Sequence, residues 1–232
     1  MTEQAYITVE GRASAEIVEK KSRFISSIAH VETEEEALAF IDEVRAANRM
    51  ARHNVYAYVL RESGRVRYSD DGEPQKTAGL PTLDAIRHAG LTDAIIVTTR
   101  YFGGILLGTG GLVRAYTASA QAAIQKAAIV TVSRCVDVQV TLPYSLYDQA
   151  LRLAESCGAK VRRSDFAEEV ALVFRMLDKT QGPLEEGFSE LSRGQIRVQT
   201  TEPFDAVFRA SGYDLESPFL HAGNTAMMAA KG

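Results

Sequence analysis

Hydrophobic positions along the chain switch between two periods, and each period marks an element. Ala37, Phe40, Ile41 and Val44 recur at the 3, 4 and 7 spacing of one helix face. Thr33 precedes them, and Glu36 three residues on completes a capping box. Residues 23–31 before this helix read as a strand. Residues 54–61 after it are rich in Val and Tyr and read as a buried strand. Ser63 and Gly64 turn that strand toward a short partner at 65–69. A loop covers 70–80. Pro81 starts a helix that Gly90 stops, and 94–99 form another buried strand. The glycine-rich segment 103–111 leads into an alanine-rich helix at 112–127, whose small side chains suit close packing on a sheet.

The second half has a cleaner pattern. Val136, Val138, Val140 and Leu142 alternate with Asp137, Gln139 and Thr141, a half-buried strand. Leu146, Ala150, Leu153, Ala154 and Cys157 form one helical face, closed by Gly158. Strands at 159–166 and 170–176 follow with a tight connection. Leu184, Phe188 and Leu191 mark a second helix, stopped by Gly194, and Ile196, Val198 and Thr200 a last strand. The order β-α-β-β-α-β is that of a ferredoxin-like domain. The pattern predicts an α+β protein with domains at 1–134 and 135–202. Residues 203–232, with Pro203, Gly212, Pro218 and Gly223, are expected to be a C-terminal extension.

The length of 232 residues suits two small domains, and 46% hydrophobic with 24% charged residues is ordinary for a soluble globular protein. The two cysteines, Cys135 and Cys157, exclude a disulfide scaffold and a four-cysteine zinc site. Cys157 reads as a small core residue. Residues 1–12 are acidic and mixed, without the apolar core of a signal peptide, and no run nears the ~18 apolar residues of a membrane span. The expectation is a cytoplasmic protein with reduced thiols and no membrane partner.

Net charge is −4, which excludes a uniformly basic nucleic-acid coat. The charge is uneven: residues 1–134 are neutral overall and 135–232 carry the −4. Between 45 and 67, Arg45, Arg49, Arg52, Arg61, Arg65 and Arg67 face only Glu62. Such a run is commonly a solvated face. Its sharper reading is a phosphate-contacting patch, with Tyr56, Tyr58 and Tyr68 nearby to stack on bases.

Three segments offer chemistry. His53 and Asn54 open a strand, where a histidine is most often a hydrogen-bonded structural residue. Asp70, Asp71 and Glu73 lie on a loop punctuated by Gly72 and Pro74. Their oxygens suit Mg²⁺ or Ca²⁺, although the spacing is not that of an EF-hand. The plainer reading is a turn whose carboxylates accept from its own backbone. The third segment runs from Arg100, Tyr101, Phe102, Gly103 and Gly104 to Gly108, Gly110, Gly111 and Arg114. Glycines before a helix N-terminus, with two arginines, have the layout of an anion site. Thr109 stands where a Walker A loop needs Lys, and Val113 where the dinucleotide fingerprint needs a third Gly or Ala. The competing reading is a turn that permits tight helix–sheet packing.

Taken together, the segments resemble the IMPACT family, in its bacterial YigZ-like branch. The resemblance lies in Lys21 to Phe24, in His53-Asn54 with Tyr56-Ala57-Tyr58, and in Ser69 to Pro74. It continues in Thr77-Ala78-Gly79, Arg100 to Ile105, and Leu107 to Tyr116. It covers residues 1–130, and the following βαββαβ unit extends it to about 202. Lys76 departs from the pattern, standing where the family loop usually has Gly.

The resemblance implies a first domain with a βαβ fold like that of a small-subunit ribosomal protein, elongation factor G and the GHMP kinases. It implies a second domain like the C-terminal domain of elongation factor G. Eukaryotic relatives regulate translation by blocking activation of an initiation-factor kinase. They carry an extra N-terminal protein-binding domain that this chain is expected to lack, so the resemblance does not carry that partner over. The expectation is a non-enzymatic protein that binds RNA or the ribosome, with a protein partner as a further option. Arg100, Arg114, Lys76 and the loop amides would hold phosphates, and Tyr101, Phe102 or Tyr68 would stack. Asp70, Asp71 and Glu73 would order the loop or meet a cation. The alternative is an enzyme using the glycine loop and Mg²⁺ on a nucleotide or small phosphate metabolite. A protein-only adaptor docking through a sheet edge is a third reading.

Overall fold

The computed structural model describes residues 5–208, which form mixed α/β structure in two compact units, 6–130 and from 131 onward. The first unit contains β1 (Tyr6–Glu10), β2 (Arg12–Glu19), β3 (Ser22–His30), α1 (Glu34–Ala47), β4 (His53–Val59) and β5 (Val66–Ser69). It continues with α2 (Gly79–His88), β6 (Ala94–Tyr101) and α3 (Thr109–Lys126). Its sheet has the order β2-β3-β6-β4-β5, with every neighbour antiparallel. β3 and β4 each oppose β6 and so run parallel to one another, which makes β3-α1-β4 a crossover with a strand slotted between. β1 and β2 are additions to the elements that the hydrophobic pattern predicts.

Both faces of this sheet are covered, so its middle strand is apolar on both sides. Phe40, Ile41 and Val44 of α1 pack with Tyr58, Ile95 and Val97 on one face. Leu83 and Ile86 of α2 and Ala120 and Ala123 of α3 pack with Ile28, Ala57 and Ile96 on the other. The capping box at α1 is present in both directions: Glu36 N–H donates to Thr33 Oγ1, and Thr33 N–H to the Glu36 carboxylate. α2 begins at Gly79, two residues before the expected Pro81. Its cap is remote: Asp70 accepts from the amides of Ala78 (3.0 Å) and Gly79 (2.8 Å).

The chain then passes through β7 (Ala128–Leu142), which begins eight residues earlier than the alternation at Val136 indicates. α4 (Tyr147–Ser156), β8 (Lys160–Phe166), β9 (Val170–Leu177), α5 (Gly182–Ser192), β10 (Val198–Thr200) and β11 (Phe204–Val207) follow. β9 lies between β7 and β8, while β10 and β11 run in succession along the other edge of β7, all antiparallel. One face of this sheet buries Val138, Val140, Leu172 and Phe174 against Ala150, Ala154, Leu184 and Phe188. β11 carries the sheet beyond residue 202, into the segment expected to be an extension. Residues 209–232 lie outside the described residues. Cys135 is buried and Cys157 half-buried, both as free thiols.

A candidate nucleic-acid interface at one end of the first sheet

Strand pairing gathers the sequence motifs at one end of the first unit. Arg23 of β3 pairs with Tyr101 of β6, and His53 of β4 with Arg100. The β2–β3 turn, the start of β4 and the end of β6 therefore meet there. The 70–79 loop and the first turns of α3 are packed onto the same end through Phe24, Val55, Ala78, Leu107, Leu112 and Tyr116.

The acid loop turns its carboxylates inward. Asp70 accepts from Lys76 N–H (2.8 Å) as well as from the two α2 amides. Asp71, at φ 42°, accepts from Asn54 N–H (2.6 Å) and from the Arg45 guanidinium (3.1 Å). Glu73 is buried and takes two contacts from Arg100 Nη1, at 2.7 and 3.0 Å, and the Tyr116 hydroxyl at 2.8 Å. Burial and the Glu73 carboxylate together push the Tyr116 phenol well above the usual tyrosine range. Among the described residues, no three His, Cys, Asp or Glu side chains converge as metal ligands.

Arg100 is only 7% exposed. Its guanidinium lies over the rings of Phe24 (5.4 Å) and Phe102 (5.6 Å), and its charge is matched by Glu73. The structure thus places Arg100 inside, as the partner of a loop carboxylate, where the sequence reading has it reaching for phosphate. His53 and Asn54 hold the same loop. His53 Nδ1 donates to the Asp71 carbonyl (2.8 Å) and Asn54 N–H to the Asp71 carboxylate, while Asn54 Oδ1 accepts from Thr99 of β6 (2.7 Å). Tyr101 is half-buried, its hydroxyl donating to Asn48 Oδ1 (2.9 Å) under the Arg23 guanidinium.

The remaining candidates face outward. Phe102 is 55% exposed, and Leu106, which the sequence reading did not single out, is 83% exposed. Gly104 and Gly108 take φ values of 85° and 72°, a region that L side chains rarely adopt, so the loop bends twice around the buried Leu107. Gly103 has a different role: a Cβ there would sit 2.0 Å from the Lys21 carbonyl carbon. The α3 N-terminus has neither a side-chain cap nor an acid in its first turn. The Arg114 guanidinium folds back over that turn, 3.6 Å from where a Cβ on Gly110 would lie, while a Cβ on Gly111 would press on Leu107. Lys76 has φ 61°, which explains why the family pattern usually places Gly at that position.

Lys20, Lys21, Arg49, Arg52, Lys76 and Arg114 are all exposed, and none has an ion-pair partner among the described residues. Of the arginine run, Arg45 is paired with Asp71, Arg61 with Asp93 and Arg65 with Glu34. Tyr68 is exposed on the edge strand β5, whereas Tyr56 and Tyr58 belong to the α1 side of the core. The sequence reading missed Lys20, whose signal was the two-residue turn between β2 and β3. It also gave Tyr116 no role, although a lone tyrosine on an apolar helix face invites a buried acceptor.

The chain is similar to several known proteins. The Impact N-terminal domain model matches residues 20–124. IMPACT family member YvyE of Bacillus subtilis is 32% identical over 199 residues, 85% of this chain and 92% of its own length. IMPACT family member YigZ of Escherichia coli is 33% identical over 186 residues, 79% and 91% of the two chains. A crystal structure of a hypothetical protein, 31% identical, covers 87% of this chain and 98% of its own with a TM-score of 0.55.

Proposed function

The chain belongs to the IMPACT family, and from that premise we propose that it is a non-enzymatic regulator of translation whose first unit binds RNA, free or in the ribosome. The observation that carries the reading is a division of charge. Asp70, Asp71 and Glu73 are satisfied internally, and unpaired cations remain on the outer surface of the same end. Phosphate binding needs such a surface, whatever the net charge of the whole chain. Mg²⁺-dependent nucleotide chemistry has less support, because backbone amides, Arg45, Arg100 and Tyr116 already engage the carboxylate oxygens that would hold the metal.

The fold assignments belong to the same proposal. The strand order β10-β7-β9-β8, with helices on one face, supports a ferredoxin-like second domain similar to the C-terminal domain of elongation factor G. The crossover with its slotted strand supports the ribosomal-protein-like reading of the first.

The test is co-sedimentation with ribosomes and total RNA at about 50 and 200 mM salt. Wild-type protein is expected to co-sediment at low salt and to be released at high salt. Lys76→Gly/Arg114→Ala, which changes only exposed side chains, should weaken the low-salt binding. Absence of salt-sensitive binding by the wild type would overturn the proposal.

A further inference from the structure

The glycine loop carries an exposed apolar tip that phosphate binding does not use. Phe102, Ile105 and Leu106 are 55%, 43% and 83% exposed on the loop, and Val113, in the helix α3 that follows it, is 37% exposed. Scattered surface apolar residues need no explanation, but a cluster on one loop does. The tip is held in place. Leu107 is buried below it, Gly103 is in contact with the β2–β3 turn, and the Phe102 ring rests on the buried Arg100 guanidinium. The loop therefore presents these side chains with little ordering left to lose on binding. The cations Lys20, Lys21, Lys76 and Arg114 lie on the segments packed around it.

From this arrangement we propose that the tip engages unpaired bases, and that the ligand at this end is single-stranded RNA. The inference rests on the RNA-binding reading above and specifies its substrate class. A duplex hides its base faces in the stack, and its deep groove is too narrow for side chains. Against a duplex the cations would find phosphates, but Phe102 and Leu106 would stay in water. A single strand offers π-faces that stack on an aromatic ring, and its backbone then follows the surrounding positive charge. Of the two forms of RNA, the single strand alone satisfies the charge and the rigid apolar centre together.

Fluorescence anisotropy with labelled RNA separates the possibilities. The probes are an oligouridylate of about 12 nucleotides and a blunt RNA duplex of similar length, at about 50 and 200 mM salt. The single strand should bind about tenfold tighter than the duplex. Phe102→Ser/Leu106→Ser should weaken single-strand binding about tenfold and leave duplex binding unchanged, with a retained cooperative melting transition as the check on folding. Equal affinity for the two probes, or an unaffected double variant, overturns this inference but leaves RNA binding standing. No salt-sensitive binding of either probe overturns both. Anionic phosphatidylserine vesicles form a third arm. Vesicle binding that the double variant abolishes, without RNA binding, would assign the tip to a lipid surface instead.

Discussion

Glu73 is the residue on which the first unit's site depends most. It stands between the Arg100 guanidinium and the Tyr116 hydroxyl, and all three are buried. Removing its charge leaves a buried arginine without a counter-ion, so Glu73→Gln should cost about 3–5 kcal/mol by chemical denaturation. Tyr116→Phe deletes one hydrogen bond while Arg100 stays paired, and should cost about 1 kcal/mol near neutral pH. The two also differ with pH. The phenol of Tyr116 is an acid whose folded pKa is raised, so its stabilisation is fully present below the unfolded value of about 10 and is lost as pH climbs above it. Denaturation midpoints measured from about pH 8 upward should fall for the wild type above about pH 10. The fall should be shallower in Tyr116→Phe.

At the level of elements, the β2–β3 hairpin has an unusual turn. Glu19 pairs with Ser22, so Lys20 and Lys21 are its two central residues, both left-handed at φ 45° and 66°. Asn-Gly is the pair that suits such a turn. Lys20→Asn/Lys21→Gly should therefore stabilise the protein by about 1 kcal/mol and raise the melting temperature by roughly 2–4 °C, while weakening RNA binding. A rise in stability with no change in affinity would remove these lysines from the interface. Gly103 meets the same turn, and Gly103→Ala should destabilise by about 3 kcal/mol because backbone, not a flexible side chain, blocks the added methyl group. Much of this scale was legible in the sequence. The α1 stripe with its capping box and the alternation of β7 are local signals, and they lead to the observed elements. What could not be read were contacts made across the chain. Pro81 is a fair local start for a helix, but α2 is capped by Asp70, nine residues before Gly79. Arg100 in a motif looks like a ligand for phosphate until Glu73 is seen beside it. The Glu-Pro at 202–203 reads as an end, yet the chain resumes pairing at Phe204 because β7 is long enough to receive it.

For the whole molecule, a net charge of −4 coexists with a cationic end on the first unit. If three or four of the exposed cations meet phosphates, the logarithm of single-strand affinity should fall with the logarithm of salt at a slope of roughly −2 to −3. A slope near zero would mean that the exposed cations do not meet phosphates. Glu73 acts at this scale too. It joins the 70–79 loop to the middle strand through Arg100 and to α3 through Tyr116. Surface loops ordinarily open on their own, long before the sheet beneath them. Opening this one would expose a buried ion pair, so it is expected to open only together with the sheet. Its amide hydrogens at Ala78 and Gly79, held by Asp70, should therefore exchange with deuterium as slowly as those at the centre of β6. The site would then be lost only when the whole unit is.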